Sequence, residues 1–163
     1  MEWVPAISRW VHVAAGIMWV GLLFYFNFVQ GPALAAATAD GSGAGIVRHV
    51  APRALLWFRW AAVVTWLAGA ALLGKDFVAA FALQPSHLAI GVGAWLGTIM
   101  LANVWLLVWP AQKKVLGLVP ADAAARERAR RAAFLVSRLN LALVVPMLFF
   151  MLAGAHSAVY FGR

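Results

Sequence analysis

Three histidines set in apolar stretches are the residues of this sequence best suited to chemistry: His12, His87 and His156. Each lies near the same end of a predicted membrane helix. An imidazole at that depth can ligate haem iron, bind copper or zinc, or carry protons. The simpler alternative is an interfacial role, in which His87 only caps the helix that follows Gln-Pro-Ser.

Haem b agrees best with the residues around these histidines. It requires axial histidine ligands and no cysteine, and the chain contains no cysteine. A symmetric site would use His12 and His87 as iron ligands, and an asymmetric site would pair His156 with either of them. A glycine lies one helical turn after His12 and after His87, and a tryptophan lies a further turn along each helix. These residues would border a flat macrocycle: Gly16, Gly91, Trp19 and Trp95.

A second polar layer lies toward the other end of the predicted helices and consists of Asn27, Arg59, Asn103, Arg138 and Asn140. The arginines can extend to the membrane surface, and the asparagines can lock helix packing through hydrogen bonds worth about 0.6 kcal/mol on average. Alternatively, the layer binds a haem propionate, a quinone carbonyl or an anionic substrate. All five acidic residues fall outside the apolar stretches, which argues against a carboxylate proton relay.

The elements that must position these residues are membrane-spanning helices. The chain has 163 residues, of which 65% are hydrophobic and 11% charged, so it has too few charges to cover a surface in water. Four apolar runs are long enough to cross a bilayer, at about 7–29, 55–73, 88–109 and 134–160. We therefore predict an all-α, integral membrane four-helix bundle that forms one domain over residues 1–163.

The connections between the predicted helices differ in composition and charge. Residues 31–53 are rich in glycine and alanine and predict a partly flexible segment, whereas 75–86 predict a short link. The fourth helix is expected to begin near Ala121, just after Pro120. Eight lysines and arginines lie in the first and third connections, against three on the opposite side. This bias places both termini in the periplasm of a bacterial inner membrane.

Recurring motifs divide the chain into similar halves. The pattern W-x-G-x5-N occurs at 19–27 and 95–103, and A-x-L-x2-R occurs at 54–59 and 133–138. An H-x3-G pattern precedes each of the two tryptophans. The sequence therefore predicts two copies of one helical hairpin, related by a pseudo-two-fold axis along the membrane normal.

Two stretches resemble the membrane domain of bacterial urate hydroxylases: RWVHVAAGIMWVGLLFYFNFVQ at 9–30 and NVWLLVWPAQKKVLG at 103–117. The resemblance implies membrane-bound redox chemistry with electrons passed on to a cytochrome c. The chain differs from those enzymes in having no CxxCH motif and fewer spans. A second copy of the chain would supply further spans.

A second resemblance is to the small four-span protoporphyrinogen oxidases of bacteria. It rests on the early His12 and on the sequence around Trp19, Gly21 and Phe24. The resemblance implies a functional lysine at the inner end of the third helix, and Lys113 and Lys114 lie close to that place. Both resemblances imply haem or porphyrin chemistry.

Three functions remain open at this point. The first is a membrane redox protein that binds haem b and transfers electrons. The second is a non-catalytic accessory subunit of a larger respiratory or photosynthetic complex, and the third is a porphyrin-oxidising enzyme.

The expected partners are the lipid bilayer, a cytochrome c or other redox subunit, and further copies of the chain. Nucleic acid is not expected, because membrane topology explains the basic residues.

Overall fold

The computed structural model describes residues 3–155, which form four long helices: α1 (Trp3–Ala39), α2 (Ile46–Phe81), α3 (Pro85–Val115) and α4 (Ala123–Ala155). Each helix is long and apolar enough to cross a membrane, and the described residues contain no strand. The prediction of an all-α fold with four long apolar helices is confirmed. His156 lies outside the described residues.

The helices extend beyond the apolar runs that predict them. α1 continues through Gly31–Ala39, so the expectation of a flexible segment is wrong here. Alanine is the strongest helix former, and Pro32 lies in the first turn of this part, where a missing N–H costs little. α4 begins close to its expected start, where the Asp122 carboxylate accepts a hydrogen bond from the Ala125 N–H at 2.6 Å.

Three of the helices widen into a π-helical segment just before a proline. These segments are Tyr25–Gln30, Ile46–Val50 and Asn103–Val108, and the prolines are Pro32, Pro52 and Pro110. A proline in a helix donates no N–H, and its ring crowds the carbonyl four residues earlier. The residue before each proline donates its N–H to a carbonyl five residues back, as Gly31 does to Phe26. The wider turn thus accommodates the proline without ending the helix.

The helices pack as two hairpins, α1 with α2 and α3 with α4, and the hairpins contact each other less extensively. The asparagine of the repeated motif lies within the π-helical segment in both α1 and α3, so the halves share this irregularity as well as their sequence. All four helices contribute to the core, through residues that include Leu23, Phe58, Met100 and Val144. This pairing agrees with the predicted duplication.

The end of α2 turns back onto α3. The helix breaks at Gly74–Asp76, where Gly74 adopts a φ of +49°, and resumes at Phe77–Phe81. The indole N–H of Trp95 donates to the Phe81 carbonyl at 2.9 Å. Gly91 lies so close to this segment that an added Cβ would overlap the Ala80 carbonyl oxygen. The link therefore packs as part of the bundle.

Gly91→Ala is expected to destabilise the protein by about 1–3 kcal/mol, because the added methyl group overlaps a backbone atom that no rotamer change can move. Gly97→Ala is the matched control, since this buried glycine lies on the same helix and has no heavy atom within 4 Å of the added Cβ. Thermal unfolding in detergent, followed by circular dichroism, compares the two. Equal transition temperatures would contradict the close packing at Gly91.

Candidate functional site

A cavity of about 180 Å³ lies where all four helices meet, at the end of the bundle that contains the π-helical segments. Its walls are mainly apolar and include Phe26, Phe58 and Phe134. The polar residues on its walls are Asn27, Gln30, Gln112, Arg130, Ser137 and Asn140. Two members of the predicted inner layer, Asn27 and Asn140, therefore line one partly enclosed space.

Asn27 connects α1 to α4 and keeps its oxygen free. Its Nδ2 donates to the Leu23 carbonyl at 2.8 Å and to the Ser137 hydroxyl at 2.9 Å, so both N–H groups are used. Its Oδ1 accepts no hydrogen bond from the described residues. Because the residue is 6% exposed and lines the cavity, this oxygen can accept a hydrogen bond from a molecule bound there.

Gln30 lies three residues further along α1 and lines the same cavity. Its Oε1 is buried and has no hydrogen-bond partner in the described part of the chain. Leaving a buried acceptor unpaired costs about 1–3 kcal/mol. Gln30 is thus a cavity residue whose side-chain oxygen is buried without a partner among the described residues.

Asn103 and Asn140 form a contact between α3 and α4. The Nδ2 of Asn103 donates to the Oδ1 of Asn140 at 2.8 Å, and the Nδ2 of Asn140 donates to the Met100 carbonyl at 3.1 Å. Asn140 is 1% exposed, whereas Asn103 does not line the cavity. The structure thus joins these two members of the inner layer, and it supports the helix-locking alternative for Asn103.

The two arginines of the predicted inner layer are not among the residues that line the cavity. The Arg59 guanidinium stacks over the indole of Trp109, 3.7 Å from the ring centroid, and the exposed Arg138 lies 5.1 Å from a phenylalanine ring. Such cation–π contacts suit arginines that extend toward a membrane surface. The arginine that does line the cavity is Arg130, which sequence reasoning did not single out.

His12 is held between α1 and α2. Its Nδ1 lies 2.8 Å from the Thr65 carbonyl oxygen, which only accepts hydrogen bonds, so Nδ1 carries the proton. Gly69 makes room for the ring, because a Cβ there would lie 2.9 Å from the Cε1 of His12. Gly16 faces Thr65 of α2, because a Cβ added at Gly16 would lie 3.6 Å from the Thr65 Cγ2. The Nε2 of His12 makes no hydrogen bond to the described residues.

His87 lies at the start of α3 in different surroundings. Its Nδ1 is 2.8 Å from the Ser86 hydroxyl, and its Nε2 is 3.8 Å from the Asp76 carboxylate. Among residues 3–155, His87 and His12 share no hydrogen-bonding partner, and no three or more His, Cys, Asp or Glu side chains are grouped so that they could hold a metal ion. The structure thus gives the two expected iron ligands separate partners.

The residues expected to border a macrocycle also differ between the two halves. Gly91 faces the Ala80 carbonyl, and Trp95 is 43% exposed and bonded to Phe81. Trp19 is 3% exposed and belongs to the core, and its indole N–H has no partner within the described residues. Matching positions in the sequence therefore have unlike surroundings in the structure.

Four cavity residues escape sequence reasoning: Gln30, Gln112, Arg130 and Ser137. Gln30 could have been predicted from the sequence, because a residue three positions after Asn27 lies on the same face of an α-helix. The other residues come from α3 and α4, and only the tertiary structure shows that they face Asn27.

Alanine substitution of Asn103, Asn140 and both together is expected to give a coupling free energy of about 0.6 kcal/mol, and at most about 1.7 kcal/mol, for their hydrogen bond. Denaturant unfolding of the purified protein measures it. Asn103 and Asn27 form the control pair, because they share no hydrogen-bond partner and should be additive. An additive result for Asn103 and Asn140 would show that the contact does not stabilise the fold.

A family model described as urate oxidase N-terminal matches residues 76–163, which is more than half of the chain. No curated protein and no solved structure matches the chain. The matched segment includes all of α3 and α4 and four of the polar cavity residues: Gln112, Arg130, Ser137 and Asn140. It also contains the second of the two stretches that resemble urate hydroxylases. The chain therefore belongs to the urate oxidase N-terminal family.

Proposed function

We propose that this chain is the membrane-embedded part of an oxidoreductase of the urate hydroxylase type. The observation that carries the proposal is the family match over residues 76–163, which covers the hairpin that contributes most of the polar cavity residues. Four helices that are long and apolar enough to cross a membrane support the location. Because these 163 residues contain no cysteine, a c-type haem that accepts the electrons would lie outside them, as in a cytochrome c or another redox partner.

Haem b is the cofactor that we propose, and His12 would hold its iron. The Thr65 carbonyl fixes the proton on Nδ1 and leaves the lone pair on Nε2, as second-shell hydrogen bonds do for metal-bound histidines. Gly69 and Thr65 would orient the imidazole. His87 fits this role less well, because partners approach both of its ring nitrogens. When bound, haem b supplies one-electron transfer.

The visible spectrum of protein purified from haem-supplied cells tests this cofactor. We expect a reduced-minus-oxidised haem-b difference that His12→Ala abolishes, because the substitution removes the ligand nitrogen. His49→Ala is the matched control and should keep the full signal, since His49 is exposed near the start of α2. His87→Ala should also retain it. A colourless protein, or a signal that His12→Ala leaves intact, would contradict haem binding at His12.

We further propose that the protein lies in the inner membrane of a bacterium with both termini on the periplasmic side. The bias of basic residues toward the first and third connections supports this orientation. The first turns of α4 contribute exposed arginines on the proposed cytoplasmic side: Arg126, Arg128, Arg130 and Arg131. Further copies of the chain, or subunits of a larger complex, would cover part of the surface within the bilayer.

Cysteine labelling tests the orientation cleanly, because the chain has no cysteine of its own. Ser86→Cys places a thiol in the exposed link between α2 and α3, and Ser42→Cys places one in the exposed connection between α1 and α2. A membrane-impermeant maleimide added to cells with a permeabilised outer membrane should label Cys at 86 but not at 42. Lysis should make both reactive. The reverse pattern in unlysed cells would invert the topology.

A further inference from the structure

We infer that Arg59, Trp109 and Lys113 form a binding site for the phosphate group of an anionic phospholipid, beside the contact between α2 and α3. Such a site depends on the proposed membrane location and not on the proposed cofactor or redox activity. Three properties of these residues favour it: a guanidinium held in one plane, two cations without a carboxylate partner, and a position at the depth of lipid headgroups.

Contacts between α2 and α3 hold Arg59 in place. The indole N–H of Trp105 donates to the Arg59 carbonyl at 3.3 Å, and the rings of Trp60 and Trp105 meet edge to face with their centroids 5.5 Å apart. The Arg59 guanidinium lies over the indole of Trp109, 3.7 Å from the ring centroid. Both the backbone and the side chain of Arg59 therefore contact α3, and the residue is only partly exposed.

The stacked arrangement leaves the hydrogen-bonding edge of the Arg59 guanidinium available. A guanidinium that stacks on an indole uses its face, whereas its five N–H groups point outward in its own plane. Those N–H groups make no hydrogen bond to the described residues. Because a phosphate group accepts two parallel hydrogen bonds from one arginine, Arg59 presents donors in the arrangement that a phosphate requires.

A second cation lies beside the same indole, and neither cation has a carboxylate partner. The Lys113 ammonium is 6.0 Å from the centroid of the Trp109 ring. Neither Arg59 nor Lys113 forms an ion pair with the described residues. The acidic side chains in that part of the chain contact other groups: Asp40, Asp76, Asp122 and Glu127. An anion from outside the chain would therefore balance the two positive charges.

The depth of the site favours a lipid headgroup over a solute from water. Arg59 lies one turn after the start of the second apolar run, and Trp109 ends the third. Trp60 and Trp105 lie beside them, and tryptophan is enriched where headgroups meet acyl chains. Trp60 and Val64, one turn apart on α2, are 49% and 40% exposed and offer apolar surface to the acyl chains. Basic pockets of this kind between membrane helices are typical sites for anionic headgroups.

Arg138 provides a comparison within the same molecule, because it occupies the position of the repeated A-x-L-x2-R motif that matches Arg59. Arg138 is exposed, and its guanidinium carbon lies 5.1 Å from the centroid of the Phe134 ring. Among the described residues, no second cation lies over that ring. Arg138 thus has the features of an arginine that only extends to the membrane surface, whereas Arg59 is held beside a second cation.

Native mass spectrometry of the delipidated full chain tests the site with two lipids of equal chain length. Dioleoyl phosphatidylglycerol carries a net negative charge, whereas dioleoyl phosphatidylcholine is zwitterionic. Phosphatidylglycerol should bind about fivefold or more tightly than phosphatidylcholine, because only a net anion balances the two cations. It should also raise the unfolding temperature in detergent, and inorganic phosphate should not, because a free phosphate gains nothing from the apolar surface beside the site.

Substitutions then assign the binding to these residues. Arg59→Gln should weaken phosphatidylglycerol binding about fivefold or more, and Arg138→Gln, the matched control, should leave it unchanged. Lys113→Gln should weaken it about threefold, and Lys114→Gln, at the exposed neighbouring position, should not. Arg59→Lys should give an intermediate affinity, because it keeps the charge but loses the planar donors. Circular dichroism in detergent checks that each variant is folded, and Arg59→Lys and Lys113→Gln decide the question if Arg59→Gln is not.

Several results would overturn the assignment. Equal binding of the two lipids would show that charge is not recognised, and an equal loss in Arg59→Gln and Arg138→Gln would show only general attraction to basic residues. A matching rise in unfolding temperature with inorganic phosphate would indicate a site for free anions instead of a lipid. The haem spectrum of the same preparations separates this site from the proposed function. Lipid selectivity without a haem spectrum would contradict the cofactor alone, and a haem spectrum without lipid selectivity would contradict the lipid site alone.

Discussion

Proline inside a helix removes one backbone donor and crowds a carbonyl four residues earlier, and most of the architecture at one end of this bundle depends on how that conflict is resolved. Three helices contain a wider, π-helical turn before the proline, in which the residue preceding the proline donates its N–H to the carbonyl five residues earlier. The helices continue instead of stopping. The wide turns also carry Asn27 in α1 and Asn103 in α3, which join their helices to α4.

The helices themselves could be predicted because their determinants are local. Apolar runs of sufficient length predicted four helices, and the repeated W-x-G-x5-N motif predicted two similar halves whose asparagines do lie in corresponding wide turns. The error at Gly31–Ala39 has a local cause as well, since this segment contains five alanines and a proline in its first turn, and both favour helix.

The surroundings of the repeated residues could not be predicted, because a motif fixes spacing along one helix and not the neighbours of that helix. Trp19 and Trp95 occupy the same motif position, yet one is in the core and the other is bonded to the returning link after α2. That link covers Gly91 and has no counterpart beside Gly16, which faces Thr65. For the same reason, the sequence could not predict which side-chain oxygens lack a partner. The hydrogen bonds of Asn27 and the burial of the Gln30 Oε1 are known only from the structure.

The wide turn in α1 makes the number of residues in this segment as important as their identity. An i→i−5 turn holds one residue more than an α-helical turn, so the loss of one residue between Asn27 and Pro32 would return the segment to a regular α-helix, with the parts on either side still in register. The ring of Pro32 would then crowd the carbonyl four residues earlier, which is the conflict that the wide turn now resolves. When related sequences are compared, an aligned single-residue gap at this point is therefore expected only where the proline is also replaced.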